Sequence, residues 1–281
     1  MIKLVCIDMD GTLLDDDFSI PQENLEVLRM AISGGVEIAL VSGRPFNIGR
    51  YLADVIHPKV HAIGTNGTYF RYHQTVYEKS LHKEQIERIY SVCAKHDLVI
   101  HFKGHNKVIS NMPIEENHIY KRMNAKLNGE ERMQFIESAS LEMALEAQND
   151  DICKALVFRA DKALAENLTQ AKLELKQHGD LEVVSSHPCN FEVMKAGTSK
   201  AEAVRVLSAH LGIDRNEIMC IGDNENDISM IEYGALGIAM GNGTEEVKAA
   251  ADYITDTNVN AGVAKAVRKF ILCAENSAEM R

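Results

Sequence analysis

Short apolar runs alternate with stretches of helical period along the first 80 residues. "LVCI" (4–7) is an apolar run closed by polar residues, as a buried parallel strand requires. After Pro21, "ENLEVLRMAISGG" predicts a helix. Its buried face should carry Leu25, Leu28 and Ile32, and Gly34-Gly35 should end it. "VEIALVS" (36–42) predicts a second buried strand. "RPFNIGRYLADVI" (44–56) predicts a second helix, with Pro45 suited to its first turn. "VHAIGTNG" (60–67) reads as a third strand running into a turn. Strand, helix, strand, helix, strand is the grammar of a doubly wound, Rossmann-like α/β sheet that is mostly parallel.

The same grammar returns near the end. A helix at 199–212 is followed by a strand at 217–223, a short helix at 226–234 and a strand at 235–241. "EEVKAAA", a short edge strand "DYIT" and a last helix at 261–272 complete it, and the tail "ENSAEMR" is expected to fray. Between the halves the pattern changes. "VIHFKGHNKVIS" (99–110) and "KALVFRA" (154–160) alternate in the strand manner, 165–179 is helical, and 181–195 is strand-rich. This predicts an α+β domain at 84–190 inserted into an α/β core made of 1–83 and 191–281.

Bulk properties narrow the function classes. A net charge of −11 argues against nucleic-acid or anionic-membrane partners, though not against small anions, which answer to local charge. The apolar runs fall short of the ~20 residues that span a bilayer. Lys3 is followed by only four residues before Asp8, unlike a signal peptide. A cytoplasmic protein is the expectation. The six cysteines form no CxxC pair and read as free thiols. Oligomeric state has no signature in the sequence.

The chemistry gathers at strand ends, where open α/β sheets bind ligands. Asp8 and Asp10, Ser42, Asn66, and Asp223 with Asp227 all fall there. Several carboxylates in one place need a cation, and an all-oxygen set suits Mg²⁺ or Ca²⁺. In an extended segment Asp8 and Asp10 point the same way, so one can attack while the other moves a proton. Ser42, the Gly43 N–H and the following helix start make an anion site, and Lys200 brings a fixed positive charge to another helix start. A calcium loop does not fit, because Gly11 is at the wrong offset and no glutamate closes the loop.

DMDGT, then SGR, then a lysine at a helix start, then GDNEND resemble the four ordered motifs of the haloacid dehalogenase superfamily of phosphatases. The segment "AMGNGTEEVKAAADYIT" resembles the Cof-type, sugar-phosphatase-like subfamily, and the insert resembles its large α/β cap. The resemblance implies Mg²⁺ held by Asp8, Asp223 and the Asp10 carbonyl. It makes Asp8 the nucleophile and Asp10 the general acid/base. It puts the phosphoryl oxygens on the Met9 N–H, Ser42, Gly43 and Lys200, with Asn226 touching the phosphate and Asp227 orienting Lys200 or the metal's waters.

The expected activity is hydrolysis of a small phosphorylated metabolite, a sugar phosphate foremost. The alternatives are a phosphomutase of the same chemistry and a non-catalytic phospho-acceptor in signalling. Arg44 is read as binding substrate or pairing with an acid. His101, Lys103 and His105 are read as a solvated sheet face, with contact to an anionic substrate as the alternative. Glu192 is a candidate for a sugar hydroxyl, whereas Phe191 and Val193 are assigned to packing.

Overall fold

The computed structural model describes residues 1–148, 151–159 and 164–273. In chain order its elements are β1 (Leu4–Ile7), α1 (Gln22–Ser33), β2 (Glu37–Val41), α2 (Phe46–Ile56), β3 (His61–Gly64), β4 (Tyr69–Tyr72), β5 (Thr75–Glu78), α3 (Lys83–Lys95), β6 (Leu98–Lys103) and β7 (Lys107–Ser110). Then come α4 (Ile119–Asn124), β8 (Gln134–Ile136), α5 (Leu141–Ala147), β9 (Lys154–Arg159), α6 (Ala165–Lys176), β10 (Leu181–Val184), β11 (Asn190–Lys195) and α7 (Lys200–Leu211). The chain closes with β12 (Ile218–Gly222), α8 (Glu225–Tyr233), β13 (Leu236–Ala239), α9 (Glu245–Ala250), β14 (Tyr253–Ile254) and α10 (Gly262–Val267). The tail expected to fray, and Ala160 at the end of a predicted strand, lie outside the described residues.

The chain divides into two compact units. The first holds residues 1–42, 52–63 and 199–281; the second holds 43–51 and 64–198. The segments 64–83 and 191–198 therefore group with the insert, and α2 contributes to both units.

In the first unit the strands run in the order β14-β13-β12-β1-β2-β3, all parallel. Leu4, Val5, Cys6 and Ile7 are wholly buried, as are Met219, Cys220 and Ile221 of the neighbouring strand. Cys6 and Cys220 pair in register as free thiols, and burial pushes the Cys6 thiol up. The strand order reverses between β1 and β12, and the two halves of the sequence meet there. The α1 helix buries Asn24, Val27, Leu28 and Ala31. Leu25 and Ile32, expected on that face, are half-exposed, because α1 packs on α10 as well as on β2 and turns Asn24 inward, where it accepts the Ala264 N–H.

The second unit carries the sheet β10-β11-β9-β6-β7-β8, antiparallel except for β7 with β8. Leu98, Ile100 and Phe102 of β6, Ala155 and Val157 of β9, and Phe191 and Val193 of β11 share an apolar core with Ile86 and Ile89 of α3 and Leu168 of α6. Phe191 and Val193 thus pack as expected. Alternation sends Val99, His101 and Lys103, then Lys154, Leu156 and Phe158, then Glu192 to the opposite face. That face is not solvated, contrary to expectation. His101 is 3% exposed and Lys103 1%. His105 lies beyond β6 in the β6–β7 turn, half-buried and stacked on Tyr69. No helix among the described residues is long and apolar enough to cross a membrane.

Candidate active site

The chain leaves β1 at Ile7, and Asp8 stays tied to the neighbouring strand through its N–H, which donates to the Ile221 carbonyl at 3.0 Å. Beyond it residues 9–13 make a wide turn in which Gly11 takes φ +77°. A Cβ on Gly11 would fall 2.5 Å from Asp223 Oδ2, so both the backbone sign and the space demand glycine here. Asp223 follows β12 directly. Its Oδ1 accepts the Thr12 hydroxyl at 2.8 Å and its Oδ2 the Asn224 amide at 3.0 Å. The Thr12 bond bridges 211 residues of sequence.

Asp227 lies in the first turn of α8. Its Oδ2 accepts the backbone N–H groups of Asp223 and Asn224, each at 3.0 Å, which leaves Oδ1 for Lys200 at 2.5 Å. Lys200 opens α7, where the Ser199 hydroxyl caps the helix by accepting the Glu202 N–H at 3.1 Å. The Lys200 ammonium also donates to Asp8 Oδ1. Lys200 is 1% exposed and Asp227 is wholly buried. Gly222 is needed for this packing, since a Cβ there would lie 2.4 Å from the Asp227 Cβ.

Oxygen atoms of Asp8, Asp223 and Asp227 all lie within 4.8 Å of one another. Burial, then the charges of Asp227, Asp223 and Asp10, push the Asp8 carboxyl well up, against the pull of Lys200. Burial and Asp227 raise Asp223 to about 7. Burial alone would depress Lys200; Asp227 and Asp8 outweigh it and hold its ammonium above the usual range. Three carboxylates against one lysine leave excess negative charge in an all-oxygen pocket. A hard divalent cation fits that donor set and would relieve the repulsion.

Of the other expected residues, Asp10 is solvent-exposed in the turn, and its carboxylate is not part of the close cluster. Met9 is buried in the same turn and Asn226 in α8. Ser42 is buried at the end of β2, its N–H on the Ile63 carbonyl at 2.9 Å. Gly43 and Arg44 group with the second unit. There Arg44 is 4% exposed, its guanidinium lies 2.8 Å from the Met123 sulfur, and its carbonyl accepts the Thr65 N–H at 2.8 Å. Glu192 is bonded to Lys154 and Asn66.

Sequence reasoning missed the asparagines that hold the first motif in place. Asn242 donates to the Gly11 carbonyl at 2.7 Å, Asn258 to the Leu14 carbonyl at 2.9 Å and Asn24 to the Leu13 carbonyl at 3.3 Å. Only the buried position of Asn24 on an otherwise apolar helix face could have flagged one of them.

A Rossmann-like sheet with buried acids and a lysine at its switch point is the frame of a phosphoryl-transfer hydrolase. The chain belongs to the haloacid dehalogenase-like hydrolase family, which it matches over residues 5–267. It is 33% identical over 273 residues to the 5-amino-6-(5-phospho-D-ribitylamino)uracil phosphatase YcsE of Bacillus subtilis, covering 96% of each chain. It is 32% identical to the putative phosphatase YxeH of the same organism, covering 97% of this chain and 99% of that one. Among solved structures, a haloacid dehalogenase-like hydrolase of B. subtilis superposes with a TM-score of 0.83 at 26% identity, over 96% of this chain and 100% of that one. The HAD subclass IIB sugar phosphatase BT4131 does so with 0.79 at 27% identity, over 95% and 98%. The protein is an enzyme, a phosphatase of this family.

Proposed function

We propose that this phosphatase hydrolyses a small phosphorylated metabolite, a sugar phosphate foremost, with Mg²⁺ and through an aspartyl-phosphate on Asp8. The observation that carries the reading is the buried Asp8–Lys200–Asp227 chain with Asp223 beside it at the switch point. The relatives named for a phosphoribityl substrate and for sugar phosphates support the substrate class.

In this reading the Asp8 carboxylate attacks phosphorus. The bond to the leaving oxygen breaks, and Asp10 gives that oxygen a proton. Asp10 then takes a proton from water as the water oxygen attacks the same phosphorus. The bond to Asp8 breaks, which frees phosphate and restores the carboxylate. Exposure at the turn leaves Asp10 in reach of solvent protons. Lys200 faces the charge on Asp8 while Asp227 fixes its position. Ser42, Gly43, the Met9 N–H and Asn226 are assigned to the phosphoryl oxygens, and Arg44 to the substrate. Asp8, Asp223 and the Asp10 carbonyl would hold Mg²⁺, which when bound neutralises phosphoryl charge.

The test is phosphate release from p-nitrophenyl phosphate and a panel of sugar phosphates, with Mg²⁺ and with chelator. Asp8→Asn should abolish turnover, and an undiminished rate in that variant would sink the mechanism. Net phosphate release, rather than transfer to a second hydroxyl, separates hydrolysis from mutase chemistry.

A further inference from the structure

The second unit contains a buried polar chain to which the proposed chemistry gives no role. Lys154 opens β9 and is wholly buried; Glu192 on neighbouring β11 is 2% exposed. The Lys154 ammonium donates to Glu192 Oε1 and, at 2.6 Å, to the carbonyl of Gly43. The other Glu192 oxygen accepts the Asn66 amide. A Cβ built on Gly43 would meet Asn66 Oδ1 at 3.0 Å, Lys154 Nζ at 3.1 Å and Glu192 Oε1 at 3.2 Å. The three side chains therefore converge on the α-carbon of one glycine.

The turn that supplies Asn66 is itself costly. Thr65 and Asn66 both take positive φ, +48° and +59°, and Gly67 follows at +88°. A β-branched residue rarely adopts that region, and such backbone persists only when its surroundings impose it. This turn delivers two contacts to one loop. The Thr65 N–H meets the Arg44 carbonyl, and Asn66 meets the carboxylate that braces Lys154. Both carbonyls of the Gly43–Arg44 segment are thereby pinned, one from β9 and one from the turn after β3. Burying a lysine and a glutamate gains little stability over apolar residues of the same size. Setting the orientation of a peptide plane is something apolar residues cannot do.

We infer that Lys154, braced by Glu192 and Asn66, is a positioning residue that holds the carbonyl of the Gly43–Arg44 peptide, so that the Arg44 N–H in the same plane and, through the Gly43 α-carbon that these side chains enclose, the Gly43 N–H stay aimed for a phosphoryl group. The inference rests on the phosphate-binding role proposed for Gly43. Lys154 itself touches neither phosphate nor metal in this assignment. It fixes the loop's carbonyl side, so the donor side need not reorganise when an anion arrives. A misplacement of about 1 Å at such a loop can cost on the order of 100-fold.

The experiment compares the wild type with Lys154→Met, Lys154→Arg and Glu192→Gln, each first shown folded by circular dichroism. The direct readout is calorimetric binding of inorganic phosphate in the presence of Mg²⁺, which needs no turnover. Steady-state kinetics with p-nitrophenyl phosphate runs alongside. Lys154→Met should weaken phosphate binding by ~10- to 100-fold and raise KM in parallel, and Lys154→Arg should recover most of both. Glu192→Gln should move them in the same direction by less, and it becomes the deciding variant where Lys154→Met does not fold. Folded variants that bind phosphate as the wild type does, with altered melting temperature alone, would overturn the inference. Failure of the phosphatase reading looks different: the wild type then shows no Asp8-dependent turnover, whatever the Lys154 variants do to phosphate binding.

Discussion

One buried histidine, His101, should cost this protein stability on acidification. His101 sits on the inner face of β6, 3% exposed, with its Nδ1 lacking a hydrogen-bond partner. Its ring lies 4.8 Å from that of Phe158 and 5.8 Å from that of His118. Burial, then the charge of Lys103 and the neighbouring His118, depress its pKa from 6.5 to about 3. The folded state therefore holds a neutral imidazole at pH values where the unfolded chain takes up a proton. Stability rises with pH wherever the unfolded state binds more protons, so the loss begins as pH falls below about 6.5 and levels off near 3. Each pKa unit corresponds to about 1.4 kcal/mol, so the full effect is on the order of 5 kcal/mol. About 2 kcal/mol of it falls between pH 7 and pH 5. For a unit of this size that is about 4–8 °C in melting temperature. The assay is thermal unfolding by circular dichroism at pH 7 and pH 5, wild type against His101→Gln. The carboxylates and the remaining histidines titrate in both proteins and largely cancel in the difference. The variant should lose markedly less stability on acidification. Equal losses in the two proteins would refute the claim that His101 is held neutral.

Two further outcomes follow from the first unit. Gly11→Ala puts a side chain at φ +77° and 2.5 Å from Asp223 Oδ2, so it should cost about 1–3 kcal/mol in denaturant unfolding and raise the Mg²⁺ concentration needed for half-activation; unchanged values for both would contradict the packing described. Mg²⁺ at a hundred times its dissociation constant should stabilise the wild type by about 2.7 kcal/mol, read as a rise in melting temperature that chelator reverses, and Asp223→Asn should lose most of that response.

The parallel α/β frame and the order of its chemical motifs are legible in the hydrophobic pattern of the chain. A strand buried on both faces must be an uninterrupted apolar run, so "LVCI" reads as β1 to the residue. Polar residues that end such runs, at Asp8, Ser42 and Asp223, advertise a ligand edge because nothing else rewards them there. The "VIHFKGHNKVIS" alternation was legible too, though it hid a turn: Gly104 to Asn106 folds it into the β6–β7 hairpin. The β4–β5 hairpin was not legible, because half of its positions face solvent and its charged and aromatic residues mask the period.

Which polar residues are buried, and whom they meet, depends on how the sheets and helices assemble. A lysine in an alternating strand reads the same whether its face is wet or covered, so the pattern points Lys103 and His101 to the surface although both are buried. Local spacing cannot show that Thr12 reaches Asp223, that Asn242 holds the Gly11 carbonyl, or that Lys154 closes on Gly43 from 111 residues away. Those pairings follow from strand order and register, which place distant residues within hydrogen-bond reach. Hydrophobic period specifies an element's face; only the assembled sheets specify what that face meets.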